Sequence, residues 1–276
     1  MVGIADYALI LANDLQTEEE VLALIAQTIP HLDGVKIGIT STMTEGLQVV
    51  RSARTLVGDK PLFVDYKVAD IGHQNPSGDW QGTNAKIVGK LAEAGATHIT
   101  VHGILGFASL EEGVNAAREK GAEVLTLPYM THKGAGMFFQ LPLRYEQREH
   151  IKDTAIAYGL DPSKPENTTF YQGLENARTV SDVILLMGER FDVGGYIGPA
   201  NNLAVLRSYR DFTEKRIWCP GFGRQGAGDL ETQIRTWAPL VGPNSAMIVG
   251  SEIYKAQDPA RAAREIRALR DKVVHS

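Results

Sequence analysis

An α/β fold, a single-domain (β/α)8 TIM barrel, is what this 276-residue sequence predicts, and three observations lead there. Short apolar runs alternate with amphipathic segments from end to end, the pattern of parallel strands joined by helices. Eight such units fit within about 250 residues, the ordinary size of such a barrel. Charged residues crowd one strand end, and the active site of a barrel is built from the C-terminal ends of its strands. A doubly wound open sheet is the competing architecture, because periodicity alone does not close a barrel.

Strands are expected at 7–12, 34–38, 62–65, 98–102, 123–127, 194–197, 216–219 and 246–249, each a short apolar run. Helical spacing fills the intervals at 18–29, 84–94, 110–119, 202–212 and 259–273. Two segments break this rhythm. Residues 72–82 (GHQNPSGDWQG) form a polar, Gly- and Pro-containing connection, expected as a loop over a site or an interface element. Residues 143–178 exceed one crossover, with a helical stretch at 146–158 and a turn-rich patch at 161–165; both insertions are candidates to reshape the mouth of the site. No shift in composition marks a second domain, so residues 1–276 are expected to form one barrel with these two insertions.

With 43% hydrophobic and 22% charged residues, the chain can bury one large core. A net charge of −5 argues against a general nucleic-acid binder, yet a few local cations and backbone N–H groups suffice for a small anionic ligand. The single cysteine, Cys219, excludes an internal disulfide framework and a Cys-based zinc site. Residues 1–6 lack a basic n-region and long apolar core, and no window approaches 18 uncharged apolar residues. A soluble cytoplasmic protein with no membrane partner is expected.

The most informative stretch is Asp65-Tyr66-Lys67-Val68-Ala69-Asp70-Ile71. Pro61-Leu62-Phe63-Val64 leads into it as a buried strand, so Asp65 and Lys67, two apart, are expected on one face. Asp70 falls in the connection beyond, where catalytic groups commonly sit. An isolated Asp-x-Lys is ordinarily a structural ion pair. The third charge and the Gly-rich segment after it move the reading toward a site. Lys36 is a lone cation inside the second predicted strand, and burying it unpaired is expensive. If strands two and three are neighbours, Lys36, Asp65, Lys67 and Asp70 line up as an alternating network. His73 and His132 have no ligand-spaced partners, so no metal is assigned. His102, at a strand end, reads as a satisfied structural histidine. The G-x-G-x-x-G at 221–226 is a weak match, and no acidic residue follows where a dinucleotide site needs one.

Taken together, these residues resemble the orotidine 5′-monophosphate decarboxylase family. Its D-x-K-x-x-D-I motif is matched by Asp65, Lys67, Asp70 and Ile71, its strand-two Lys by Lys36, and its L-x-L-A-x-D by 9–14, ending at Asp14. Further matches are Val101-His102-Gly103, Met130-Thr131-His132 with Gly134-Ala135, and Pro220-Gly221 with Gln225-Gly226. The resemblance implies a cofactor-free, metal-free barrel homodimer with shared active sites that converts orotidine monophosphate to uridine monophosphate. It implies Lys36, Asp65, Lys67 and Asp70 as catalytic residues, with Lys67 delivering the proton and Asp70 reaching across the dimer interface. Asp14, Thr83, Thr131, Pro220, Arg224, Gln225, Gly226, Gly250 and Ser251 are the implied substrate-binding residues. One departure stands out: Gly250 is followed by Ser251 where the family has a phosphate-clamping Arg, and Arg224 is the expected substitute. Three other readings stand beside this one: a Mg-dependent sugar-phosphate aldolase or decarboxylase of the same superfamily, against which Lys36 argues; a decarboxylase of a non-phosphorylated or modified nucleoside; and a catalytically silent binding homologue.

Overall fold

The computed structural model of the chain describes residues 4–75, 77–223, 226 and 228–275. Eight parallel strands close into a ring in chain order: β1 (Ala8–Asn13), β2 (Gly34–Gly38), β3 (Leu62–Val68), β4 (His98–Val101), β5 (Glu123–Thr126), β6 (Gly195–Ile197), β7 (Ile217–Cys219) and β8 (Ser245–Val249). Ala8 of β1 pairs with Ala246 of β8, which seals the barrel and sets aside the open sheet. The expected strand ends hold to within one residue except at β3, which continues three residues beyond Asp65.

The helices are α1 (Glu18–Thr28), α2 (Ile39–Glu45), α3 (Gln48–Val57), α4 (Thr83–Glu93), α5 (Phe107–Glu119), α6 (Gly136–Phe139), α7 (Tyr145–Tyr158), α8 (Thr168–Asn176), α9 (Val180–Phe191), α10 (Leu203–Tyr209), α11 (Leu230–Val241), α12 (Ser251–Tyr254) and α13 (Pro259–Val274). Their starts are written in the sequence. Thr17 and Glu20 form a capping box on α1, and Thr179 and Asp182 form another on α9. Asp258 caps α13 ahead of a proline at its first position.

Strand alternation divides the apolar side chains into two cores. Ala8, Ile10 and Ala12 of β1 join Phe63, Leu125, Ile197, Trp218, Ala246 and Ile248 inside the barrel. Leu9 and Leu11 face outward with Val35, Ile37 and Val64 into the layer beneath the helices. Phe63 and Trp218 meet edge to face at 5.8 Å across the barrel interior, which is filled by side chains rather than left as a pore.

Both insertions fold against the outside of the ring. Within 72–82, Gln74 and Trp80 form an antiparallel bridge, and Gly82 N donates to the fully buried Glu112 of α5. At the neck of the second, Leu143 N donates to Arg178 O at 2.8 Å and Val180 N to Leu141 O at 3.3 Å. Between these points α7 and α8 pack on α5 and α9 through an aromatic cluster in which Phe107 stacks on Tyr158 at 5.4 Å and meets Phe170 edge-on.

Candidate active site

A cavity of about 640 Å³ opens at the C-terminal end of the strands. Its floor is the top of the inner core, Ala12, Phe63, Leu127, Ile197 and Ile248. One wall carries the charges: Asp14 after β1, Lys36 on β2, and Asp65 and Lys67 on β3. Across from it stand Tyr129, Met130 and Thr131 after β5 and Pro220, Gly221 and Phe222 after β7, while Gly250, Ser251 and Tyr254 follow β8, the neighbour of β1. These loops hold one another. Asn201 Nδ2 donates to Thr131 O at 3.0 Å, and Ala200 N to Pro220 O at 2.9 Å.

Register brings the charged groups together. Ala12 lies beside Lys36, Lys36 beside Phe63 and Gly38 beside Asp65, so β1, β2 and β3 present their charges at one level. Lys36 Nζ lies 2.7 Å from Asp14 Oδ1 and 3.5 Å from Asp65 Oδ2, and Lys67 Nζ lies 2.8 Å from the same Asp65 Oδ2. Gly38 makes room: a Cβ there would run into the Asp14 carboxylate. Burial alone would drive the Lys36 ammonium toward its neutral form, but Asp65 and Asp14 outweigh it and its pKa is raised. Burial pushes Asp65 upward likewise, and Lys36 and Lys67, with hydrogen bonds from Lys67 and Thr100, pull it below the usual carboxylate range. Lys36 and Asp65 therefore both keep their charges at neutral pH despite the cost of burial.

The end of β3 departs from the regular strand that the sequence suggests. Lys67 has φ 53°, the left-handed region that few non-glycine residues enter, at a cost of about 1–2 kcal/mol. The ladder with β4 is displaced between Val64 and Val68. Asp65 and Lys67 do meet, as expected, but across this irregularity. Thr100 of β4, fully buried, receives the Lys67 N–H at 2.7 Å and donates to Asp65 Oδ1 at 3.1 Å.

Of the residues singled out in the sequence, Asp14, Lys36, Asp65, Lys67, Thr131, Pro220, Gly250 and Ser251 line the cavity. Asp70 does not join the array within this chain. It is exposed, its Oδ1 accepts from Ile71 N at 2.7 Å, and its backbone is fixed by Asn84 and Ser109. Thr83, the first residue of α4, and Gly226, backed by Gln233, also stand outside the cavity wall. Arg224 and Gln225 lie outside the described residues. His102 is not the satisfied histidine expected: its Nδ1 is buried with no hydrogen-bond partner among the described residues, and its ring stacks on Phe139. Burial and the nearby Lys67 lower its pKa, so the ring is neutral at pH 7. Neither α7, α8 nor residues 72–82 line the cavity among the described residues, so the insertions do not shape its mouth in the single chain. Thr100, Tyr129, Phe222 and Tyr254 went unnoticed in the sequence. A hydroxyl two residues before His102 in an apolar strand is the one signal that was available.

Comparison with known proteins agrees with this fold. The orotidine 5′-phosphate decarboxylases of Methanococcoides burtonii and Methanosphaera stadtmanae are each 28% identical to the chain over 260 residues, covering 94% of both sequences. The crystal structure of orotidine 5′-monophosphate decarboxylase from Methanocaldococcus jannaschii, complexed with the inhibitor BMP, superimposes with a TM-score of 0.71 at 22% identity, over 96% of this chain and 98% of that one. At that identity the likeness shows the fold. Residues 7–266 match the model of the Orotidine 5′-phosphate decarboxylase / HUMPS family, and the chain belongs to that family.

Proposed function

We propose that this protein decarboxylates orotidine 5′-monophosphate to uridine 5′-monophosphate, in the cytoplasm, with no cofactor. The observation that carries the reading is the Lys67 ammonium, fixed by Asp65 at the edge of a closed-bottomed cavity and still one-third exposed toward it. The C6–carboxylate bond breaks, carbon dioxide leaves, and the electron pair stays on C6, where little delocalisation is possible. A fixed cation beside that carbon lowers the energy of the developing carbanion. Lys67 then gives C6 a proton and regains one from water. Asp65 faces the departing carboxylate and keeps Lys67 charged and aimed. Lys36 and Asp14, already paired at 2.7 Å, take the ribose hydroxyls.

Asp70 and Thr83 enter the scheme through a second copy of the chain. Ile71 beside Asp70 is 71% exposed and Met43, against Tyr66, is 69% exposed, which suits a face covered by a partner. The superfamily's magnesium chemistry fits less well, since the space between Asp14 and Asp65 is filled by the Lys36 ammonium rather than by a third carboxylate. Ser251 on the cavity wall favours one second reading, a nucleoside lacking the phosphate. Incubating the purified protein with orotidine monophosphate, with orotidine, and with each plus a chelator, while following loss of the orotate absorbance, tests all of this. Chelator-insensitive turnover of the nucleotide is the expected result. Turnover of neither compound refutes the proposal.

A further inference from the structure

Between the paired positions Val64–Ile99 and Val68–Val101, strand β3 spends three residues, Asp65, Tyr66 and Lys67, where β4 spends one, Thr100. The surplus backbone has to bulge, and the left-handed Lys67 is where it does so. A bulge of this kind frees a backbone N–H from the ladder, and a buried N–H needs a partner. Thr100 Oγ1 is that partner at 2.7 Å, and the same hydroxyl donates its own hydrogen to Asp65 Oδ1 at 3.1 Å. The two carboxylate oxygens are thereby given different work. Oδ1 is held by a neutral hydroxyl, and Oδ2 is left to the two ammonium groups, Lys67 at 2.8 Å and Lys36 at 3.5 Å.

We propose that Thr100 is a positioning residue of the decarboxylation site: its single hydroxyl fixes both the backbone of Lys67 and the rotation of the Asp65 carboxylate, and so sets where the Lys67 ammonium stands relative to the reacting carbon. The inference rests on the proposed function. Thr100 is fully buried behind Asp65 and does not line the cavity, so it acts through these two residues and not on substrate. A side chain of the same shape without the hydroxyl leaves the bulge unpinned and lets the carboxylate turn. Misplacement of a reacting group by about 1 Å can cost about 100-fold in rate.

Thr100→Val and Thr100→Ser are to be compared with wild type in kcat, KM, thermal melting and binding of uridine monophosphate. Thr100→Val is expected to lose about 10- to 100-fold in kcat, with KM and product binding changed less than about threefold. Thr100→Ser, which keeps the hydroxyl, is expected to retain kcat within about threefold. A folded Thr100→Val with wild-type kcat overturns the proposal, as does a Thr100→Ser that melts like wild type but is as slow as Thr100→Val. If Thr100→Val does not fold, Thr100→Ser decides: kcat within threefold of wild type supports the role, and a loss of tenfold or more with intact melting overturns it. Wild-type protein inactive on orotidine monophosphate would instead remove the underlying reaction, a result separable from any difference between the variants.

Discussion

Replacing Lys67 by alanine should separate chemistry from folding in this molecule. The lost charge is worth about 4 kcal/mol to a carbanion about 4 Å away at an effective dielectric of about 20. Loss of the proton donor removes a further factor of about 10² to 10⁴. Together these amount to about 7 to 9 kcal/mol, a fall in kcat of about 10⁵- to 10⁷-fold. The fold should notice far less. Asp65 keeps Thr100 at 3.1 Å and Lys36 at 3.5 Å, and the lysine side chain is already 34% exposed, which discounts its ion pair to about 1 kcal/mol or less. Alanine inherits the same φ of 53°, so no backbone strain is released. Lys67→Gly, which is at home there, should be equally inactive and should recover part of any lost stability. Stopped assays over hours give the residual rate, and thermal melting gives the stability. A Lys67→Ala protein that keeps more than about 1% of wild-type turnover cannot be reconciled with the estimated barrier.

Mixing inactive Lys67→Ala with inactive Asp70→Ala protein should restore part of the activity if sites are shared, because one site of each mixed dimer is intact; no recovery after demonstrated subunit exchange argues for self-contained sites. Arg224→Ala should raise KM for the nucleotide by about 2 to 3 kcal/mol and leave orotidine almost unaffected, since Pro220, Gly221 and Phe222 just before it line the cavity; an unchanged KM places phosphate recognition elsewhere. Asp65 is lowered below its unfolded value, so its contribution is present above about pH 4 and is lost as pH falls through the folded pKa. Lys36 is raised, so its contribution is complete below about pH 10 and is lost as pH rises through the folded pKa. Urea melts across that range should show Lys36→Met flattening the alkaline fall, and no change in its slope counts against a folded charge network.

The strands were legible because parallel strands buried on both faces leave unbroken apolar runs, as in Leu9-Ile10-Leu11-Ala12. The end of β3 was not, since a charge ordinarily signals a strand's exit while here the ladder continues through Asp65 and Lys67 around a bulge. Helices α2, α6 and α12 are too short to show a period. At the site, Lys36, Asp65 and Lys67 announced themselves as charges inside apolar strands. Thr100 did not, because threonine is an ordinary strand residue and its hydroxyl gains meaning only from what β3 places beside it. Asp70 stands apart from the other three charges within the single chain, because it lies past the strand, where alternation no longer fixes direction.

The seal between Ala8 and Ala246 also bears on how the molecule is made. Until β8 has been synthesised, β1 presents an open edge and the ring has a gap. Asp14 lies near the start of the chain and Gly250 and Ser251 follow its last strand, so a nascent chain on the ribosome has no complete cavity however well its earlier β/α units have condensed. Contacts spanning more than two hundred residues form late, and the exposed edges remain in need of protection in the meantime. Competence to bind substrate therefore arrives with ring closure, which makes a nucleotide ligand a natural reporter of the final folding event.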